Sequence, residues 1–320
     1  MAGALQAEEI GVALRRVGAQ LLVRGWLSAN SVVFREHGHK SALVVDTGYV
    51  SHVEQTVSLV RQAIGARTLG AIVNTHLHSD HCGGNAGLQR EWPAATIAVP
   101  CGYLAALMPW DESRLSYRHT GQRCETFVPD TFLAPNTEVQ LGGSSWEVHA
   151  APGHDPDAVL LFEPQEGVLI SGDALWENRL AIIFPELAGD SGFDATHHAL
   201  DLIERLQPRL VLPGHGGAFS DVASALAQSR ARLNAFVKSP DRHRKHAVRA
   251  LVVYHMLEVQ QQSHAELAAW ITGTPIFGAT LGCAHDPDLA NQLATETVGS
   301  LISDGVLSAS ADHIRLAIRD

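Results

Sequence analysis

Two kinds of hydrophobic pattern alternate along residues 20–238 of the chain. Short apolar runs typical of β-strands stand at residues 21–23, 31–34, 42–46 and 69–73. A segment with helical spacing, residues 52–64, lies between the last two of these runs. This order of elements predicts an α/β fold in which helices join some of the strands.

A second group of strands follows a stretch punctuated by proline and glycine at residues 93–135. These strand-like runs occupy residues 138–141, 146–150, 159–162 and 168–171. Two helices come next, one capped by Asp194 and the other by Ser220, with a strand at residues 210–212 between them. We therefore expect a second sheet with helices packed on it.

The hydrophobic pattern changes near Ser239, and the remainder of the chain is mostly helical. Helical spacing covers residues 247–259, 264–271 and 289–303, and a two-stranded wing is predicted at residues 305–318. We predict a domain at residues 1–239 and a C-terminal module, similar to a winged helix, at residues 240–320. The module has six basic residues against nine acidic ones, so packing, homodimer formation or substrate lining is favoured over DNA binding.

Composition narrows the function classes further. The chain has 23 basic and 34 acidic residues, and the net charge of −11 disfavours binding to nucleic acid or to an anionic membrane. The apolar runs are too short to span a membrane, and the first residues lack the pattern of a secretory signal, so a cytoplasmic protein is expected. The four cysteines are scattered and are expected to be free thiols, whereas the 18 histidines raise the question of metal ligation.

The densest group of metal-ligand residue types follows a predicted strand. His76, His78, Asp80 and His81 lie within six residues, and the pair Gly83-Gly84 then lets the chain turn into a helix. His76 and His78 face the same way in an extended chain and can share one ion, while Asp80 and His81 can reach a second ion beside it. Imidazole and carboxylate ligands suit Zn²⁺. The alternative is a polar loop whose histidines bond one another or water, which four such residues in one short segment disfavour.

Three more ligand-type residues each follow a predicted strand. His154 and His215 come after Pro-Gly, and Asp173 comes after Ser-Gly. Side chains just beyond strand ends meet where those ends lie together in a sheet. We therefore expect these residues to converge on one pocket.

The motif His76-Leu77-His78-Ser79-Asp80-His81, with the later motifs in the same order, resembles the signature of the metallo-β-lactamase superfamily. The resemblance covers about residues 20–238 and implies an αββα sandwich with a metal site along one edge, between the two sheets. It implies a first ion held by His76, His78 and His154, a second held by Asp80, His81 and His215, and Asp173 bridging both. Two zinc ions are the expected cofactor, with iron or manganese as alternatives.

Four other residues near these motifs have candidate roles. Asp46 matches an acidic residue of the family and is expected to orient one ligand imidazole, with a cap or turn role as the alternative. Asn178, five residues after Asp173, is a candidate contact for substrate or metal, weighed against a turn role. Asn30 is predicted to form a turn, and Cys82 is predicted to pack in the core.

The resemblance implies metal-dependent hydrolysis, and the net charge of −11 with no stripe of basic residues favours a small-molecule substrate over nucleic acid. Water shared by two cations becomes hydroxide near neutral pH, and Asp80 or Asp173 orients it and receives its proton. The expected substrate is an ester, thioester, lactone or activated halide. The segment after His154 lacks the Thr and Gly common in glyoxalase II, which argues against a glutathione thioester.

Substrate specificity is expected to come from residues 100–135 and 175–193. Their aromatic residues are candidates for a wall of the site: Trp110, Tyr117, Trp176 and Phe184. Three other functions stay open on the sequence: a zinc endoribonuclease, a mononuclear-iron oxygenase and a non-catalytic metal-binding regulatory protein.

Overall fold

Two β-sheets packed face to face form the centre of the molecule, and the computed structural model describes residues 7–35 and 41–317. The first sheet has six strands in sequential order: β1 (Ala19–Leu22), β2 (Ser31–Arg35), β3 (Ser41–Val45), β4 (Thr68–Val73), β5 (Thr96–Pro100) and β6 (Thr131–Leu133). The second has five, in the order β11, β10, β9, β8, β7: β7 (Thr137–Leu141), β8 (Ser144–Ala150), β9 (Val159–Glu163), β10 (Val168–Gly172) and β11 (Leu210–Pro213).

Alternation of side chains along each strand builds a core on both faces of both sheets. In β2, Val32 and Phe34 point into the core between the sheets, where Trp146 of β8 meets them. Val33 of β2 and Val44 of β3 point the other way, into the core beneath the helices on the outer face. Because each sheet is covered on both faces, its central strands are almost wholly apolar. The predicted αββα sandwich is confirmed.

Nine α-helices precede the C-terminal module in the described residues. They are α1 (Ala7–Arg16), α2 (Val53–Ile64), α3 (Ser79–Cys82), α4 (Asn85–Glu91), α5 (Leu104–Leu107), α6 (Tyr117–Thr120), α7 (Phe184–Ala188), α8 (Gly192–Leu206) and α9 (Val222–Lys238). Two predicted caps were wrong. Helix α8 begins at Gly192, so Asp194 lies inside its first turn, and helix α9 is capped by Asp221, whose carboxylate accepts the Ser224 N–H at 3.2 Å.

The stretch at residues 93–135 contains more regular structure than its prolines and glycines predict. Strand β5 pairs in parallel with β4 and with β6, which extends the first sheet on that side. Helices α5 and α6 are a single turn each and carry no hydrophobic period long enough to detect.

The C-terminal module contains four helices and a small sheet. Its elements are α10 (Pro240–Val259), β12 (Gln261–Ser263), α11 (His264–Gly273), α12 (Pro275–Leu281), α13 (Pro287–Ser303), β13 (Leu307–Ala309) and β14 (His313–Leu316). Helix α10 begins at Pro240 rather than at residue 247, because proline suits the first turn of a helix. The predicted wing is the antiparallel pair β13–β14, which β12 extends to three strands. Ile318, its predicted last residue, lies outside the described residues.

Hydrogen bonds near both ends of helix α10 fix it to the first domain. The backbone N–H of Ile183 donates to His243 Nε2 at 3.0 Å near one end of the helix. Near the other end, Tyr254 donates to the carbonyl of Leu27 at 3.1 Å, and Glu258 accepts the hydroxyl of Tyr49 at 2.9 Å. The predicted domain boundary falls between α9 and α10, yet the two parts share an interface at both ends of α10.

No helix in residues 7–35 and 41–317 is long and apolar enough to cross a membrane.

The contact between Ile183 and His243 makes stability depend on pH. Burial, followed by the charges of His246 and Arg244, lowers the pKa of His243 to about 4. The unfolded chain therefore binds the proton more tightly than the folded one, so stability is complete above about pH 6.5 and is lost as pH falls toward 4. We expect His243→Gln, which keeps an acceptor but does not titrate, to remove about 1–2 kcal/mol of the stability loss between pH 7 and 5.

Urea unfolding at the two pH values measures this difference. The matched control is His285→Gln, an exposed histidine of the same module, which should leave the pH dependence unchanged. If the free energy of unfolding depends on pH equally in wild type and in His243→Gln, protonation of this histidine does not contribute to that dependence.

Candidate metal centre

The segment from β4 to α4 places four ligand-type side chains on one short loop. His76 and His78 lie in extended chain after β4, and Asp80 and His81 lie in the single turn of α3. Two glycines follow α3 because neighbouring backbone packs too closely for a side chain, and not because the chain turns sharply there. A Cβ on Gly83 would lie 2.5 Å from the Val50 nitrogen, and one on Gly84 would lie 2.4 Å from the Thr47 carbonyl oxygen.

Three strand ends of the second sheet carry the remaining predicted ligands to the same place. His154, Asp173 and His215 follow β8, β10 and β11 respectively. The seven side chains form two groups, each with ligand atoms within 4.8 Å of one another. The first group is His76, His78 and His154, and the second is Asp80, His81, Asp173 and His215.

Asp173 lies between the two groups. Its Oδ1 is 3.2 Å from His81 Nε2 in the second group, and its Oδ2 is 3.5 Å from His154 Nε2 in the first. Asp80 closes the second group, with its Oδ2 3.0 Å from His215 Nε2. A single carboxylate thus reaches both groups, which is the position that a bridging ligand requires.

Two buried nitrogen atoms test whether these residues fit a metal cofactor. Among the described residues, the buried His76 Nε2 has no hydrogen-bond partner, and the buried His81 Nε2 has only its contact with Asp173 Oδ1 at 3.2 Å. A buried polar atom without a partner is uncommon and costs about 1–3 kcal/mol. A cation between these imidazoles and carboxylates would satisfy both atoms, so the donor set fits a metal cofactor.

The protonation states of the first group suit metal binding. Burial, together with neighbouring histidines, lowers the pKa of His76 well below its ordinary value. Burial lowers the pKa of His78 to about 4, and burial followed by the charge of His78 lowers that of His154 to about 4. Neutral imidazole is the form that coordinates a cation, so these three side chains need not lose a proton at neutral pH to bind one.

The carboxylates of the second group are held ionised. Burial favours their neutral forms, but the charges of His81 and His215 outweigh it and lower the pKa of both Asp80 and Asp173. In return, Asp173, Asp46 and Asp80 outweigh burial and raise the pKa of His81. The carboxylates and the His81 imidazole thus stabilise each other's charged forms, and a bound cation would take over the role of the imidazole charge.

Asp46 belongs to neither ligand group but contacts the predicted ligand His81. Its Oδ2 lies 2.8 Å from His81 Nδ1, and its Oδ1 accepts the Thr75 N–H at 2.9 Å. The hydroxyl of Thr75 also donates to Asp46 Oδ2 at 2.8 Å and lies 3.1 Å from His76 Nδ1. One carboxylate therefore orients imidazoles of both groups, directly in one case and through Thr75 in the other.

Asn30 lies in extended chain before β2 rather than in the predicted turn, and it has a different role. Its side-chain amide donates to the carbonyls of Pro213 at 2.9 Å and Gly216 at 2.7 Å. These two residues flank the loop that carries His215, so Asn30 fixes the position of that loop. The prediction missed this role because the partner residues are distant in sequence.

Sequence reasoning also missed Asp155 and Tyr103. Asp155 Oδ2 lies 3.4 Å from His78 Nε2, and its other oxygen accepts the hydroxyl of Tyr103. Burial raises the pKa of Asp155, while the hydrogen bonds from Tyr103 and from the Asp157 N–H oppose that change. Adjacency to His154 was a usable signal for Asp155, but nothing in the sequence links Tyr103 to the site.

The predicted aromatic wall is half right. Trp176 donates from Nε1 to Asp173 Oδ1 at 3.1 Å, and Phe184 lies against His78 with ring centres 4.8 Å apart. Trp110 and Tyr117 instead pack in the core beside α2 and α4, because both bury their rings under the first sheet. Cys82 packs there too, with Sγ 3.1 Å from the hydroxyl of Tyr117.

A cavity of about 800 Å³ opens beside the metal-binding residues. Asn178 lies in its wall with an exposed side chain that donates to Glu177 at 3.1 Å, rather than among the ligand groups. Trp26 also lines the cavity and stacks on His215 with ring centres 5.0 Å apart. Helix α10 forms another part of the wall.

Comparisons with known proteins agree with this arrangement. Residues 24–215 match the family model described as Metallo-beta-lactamase superfamily. A hydroxyacylglutathione hydrolase from Anaeromyxobacter dehalogenans is 34% identical over 157 residues, which are 49% of this chain and 51% of the relative. An acyl-coenzyme A thioesterase from Gallus gallus is 26% identical over 170 residues, 48% of this chain and 59% of the relative. The chain thus spans about half the length of the curated relatives it matches.

Solved structures share the fold. A metallo-beta-lactamase family protein from Thermus thermophilus superposes with a TM-score of 0.56 at 19% identity, covering 93% of this chain and 98% of that one. A beta-lactamase domain protein from Burkholderia ambifaria has a TM-score of 0.54 at 22% identity, with 94% and 91% covered. Both likenesses extend over the C-terminal part as well as the sandwich.

Removing single ligands should separate the two groups. Asp173→Ala should weaken the binding of two ions, because this carboxylate reaches both groups, whereas His215→Ala should weaken mainly one. Metal content after dialysis against a chelator series, measured by inductively coupled plasma mass spectrometry, gives the stoichiometry. His198→Ala, an exposed histidine of α8, is the control. Unchanged metal content in Asp173→Ala would rule out its bridging position.

The contact between Asp155 and His78 should matter for metal affinity. Asp155→Asn should lower that affinity by about tenfold or more, because the outer carboxylate fixes the ring and raises its basicity. Tyr103→Phe should have a smaller effect in the same direction. Competition titration with a chromophoric chelator measures both, and Asp157→Asn serves as the neighbouring control. Equal affinity in Asp155→Asn and wild type would contradict this role.

Proposed function

The chain belongs to the metallo-beta-lactamase superfamily, and on that premise we propose that it is a metal-dependent hydrolase of small acyl esters or thioesters. The observation that carries the proposal is the pair of adjacent ligand groups joined by Asp173 at one wall of a large cavity. Two relatives named as thioester hydrolases, the hydroxyacylglutathione hydrolase and the acyl-coenzyme A thioesterase, support acyl thioesters as the substrate class.

We propose zinc as the metal, with His76, His78 and His154 holding one ion and Asp80, His81 and His215 a second. Asp173 would contact both. Bound there, the ions would supply Lewis acidity, which lowers the pKa of water toward about 7 and polarises an acyl carbonyl. Nitrogen and oxygen donors in this ratio suit zinc, and iron or manganese are the alternatives.

The protein's own residues position the reacting groups. Asp80 and Asp173 are ionised carboxylates facing the cavity, so either can receive the proton of the attacking water. Trp176 Nε1 holds Asp173 Oδ1 and restricts its rotation. Trp26 and Phe184 pack against neighbouring imidazoles, Trp26 on His215 and Phe184 on His78.

The reaction balances without a redox partner. The water oxygen adds to the acyl carbon, and the bond from that carbon to sulfur or oxygen breaks. The thiol or alcohol leaves with one proton, and the acid product releases the other at neutral pH. This balance distinguishes the proposal from an oxygenase, which consumes dioxygen.

Turnover of a simple thioester tests the proposed function. Metal-loaded protein should release thiol from octanoyl thioesters, and chelation should abolish release until zinc is added back. Asp80→Asn and Asp173→Asn should each lower kcat by about a hundredfold or more, because a proton acceptor and a ligand are lost together. Thiol release is followed with a chromogenic disulfide, and Asp201→Asn on the surface of α8 is the control.

Three outcomes would favour the other functions. Oxygen uptake by iron-loaded protein would favour the oxygenase. Metal-dependent cutting of single-stranded RNA, with affinity that falls steeply as salt rises, would favour the endoribonuclease. Stable metal binding without turnover of any ester, thioester or lactone would favour a regulatory protein.

A further inference from the structure

The cavity has two chemically different walls besides the metal-binding one. We propose that the substrate has two arms joined at the scissile bond: an apolar acyl arm packed on α10, and an anionic arm on the leaving-group side bound by Arg179 and Arg232. This inference rests on the proposed function for the position of the scissile bond and assigns both arms to named residues.

One face of α10 forms the apolar wall. Ala250, Val253 and Leu257 line the cavity and repeat at the spacing of a single helical face. Each is half-buried, so the side chains are open to the cavity rather than sealed in the core of the module. Leu180 and Phe184 line the cavity from the first domain. A cavity of about 800 Å³ is within the range that holds a ligand of drug size, well beyond an acetyl group.

The cationic wall consists of Arg179 and Arg232, and the imidazole of His246 lies near both. Burial, and then the charges of Arg232 and Arg179, lowers the pKa of His246, so the three basic groups lie close enough to act on one another. The two arginines are exposed and line the cavity, which places them at its mouth. Like charges gathered at a cavity mouth are unfavourable unless an anion joins them.

Neither Arg179 nor Arg232 forms an ion pair within the described part of the chain, whereas other arginines nearby do. Arg230, two residues before Arg232 on α9, pairs with Asp201 at 2.7 Å and with Glu204 at 2.8 Å. Arg249, which also lines the cavity, pairs with Asp304 at 2.7 Å. In a chain of net charge −11, two cations left without carboxylates at a cavity mouth point to an anionic ligand.

The cationic wall adjoins the metal-binding residues. The guanidinium of Arg179 lies 4.9 Å from the ring centre of Trp26, and that ring stacks on His215. Arg232 donates to the carbonyl of Asn178 at 3.2 Å, and Asn178 directly precedes Arg179 in the chain. An anion bound by these two arginines lies next to Trp26 and His215, which leaves the apolar side chains of α10 for the acyl arm.

A matched pair of substrates tests the anionic arm. The octanoyl thioester of 3-mercaptopropanoate carries a charge on its leaving group, and the thioester of 3-mercaptopropanamide is its neutral counterpart. The double variant Arg179→Met and Arg232→Met should lower kcat/KM for the charged substrate about tenfold, through KM, and that for the neutral one less than about twofold. Arg230→Met is the control, since its side chain belongs to the same helix but is paired. Equal losses for both substrates would overturn the assignment.

Binding without turnover separates this inference from the proposed function. The probe is 3-(octylthio)propanesulfonate, which has no carbonyl to hydrolyse, measured by calorimetry on metal-loaded protein at several salt concentrations. Wild type should bind it more tightly at low salt, and the double arginine variant should lose about tenfold in Kd together with the salt dependence. If no thioester is turned over but this pattern holds, the proposed function fails and the binding site stands. If thioesters are turned over but the double variant binds the probe as tightly as wild type, the proposed function stands and the assignment of the anionic arm fails.

Side-chain size on α10 tests the acyl arm. Ala250→Leu and Val253→Phe add volume at half-buried positions, so they should lower kcat/KM for octanoyl thioesters about tenfold and leave acetyl thioesters within about twofold. Ala269→Leu on the exposed side of α11 is the control. An unchanged ratio between octanoyl and acetyl substrates in both variants would show that the acyl group lies elsewhere.

Discussion

Two ionised carboxylates, Asp80 and Asp173, are buried among five imidazoles, and the rest of the molecule depends on how their charge is balanced. An isolated carboxylate in a protein interior costs several kcal/mol, so each needs positive charge close by. The imidazoles supply this only in part, because crowding and burial keep His76, His78 and His154 neutral. A metal cation would supply the missing charge, which explains why the buried His76 Nε2 has no hydrogen-bond partner among the described residues.

The fold meets this requirement by bringing loops from both sheets to one edge. Strands β10 and β11 run parallel, so Asp173 and His215 emerge side by side. Gly214 allows the approach, since a Cβ there would lie 2.1 Å from Asp173 Oδ1. On the other sheet, Asp46 adopts a positive φ of 58° and turns its carboxylate toward His81 and Thr75. Backbone geometry that most residues avoid thus occurs where it aims a side chain at the site.

The sequence predicts the parts of this site that are local and misses those that depend on distant packing. The motif at His76 to His81 is readable because its spacing encodes the geometry, and the later ligands are readable because each follows an apolar run. Tyr103 and Asn30 contact the site through partners far along the chain, so no spacing reveals them. The same reason explains Trp110 and Tyr117: an aromatic residue in a loop gives no sign of which side of a sheet it will cover.

Helix α10 connects substrate selection to the stability of the fold. Its buried face, including Val252 and Met256, belongs to the core of the C-terminal module, while Ala250 and Val253 face the cavity. His243 near its first turn and Tyr254 near its last hold the helix to the first domain by hydrogen bonds. Displacing the helix from the metal-binding residues would break both hydrogen bonds, each worth about 0.5–1.5 kcal/mol. The side chains on one face of α10 therefore set the width of the cavity on that side.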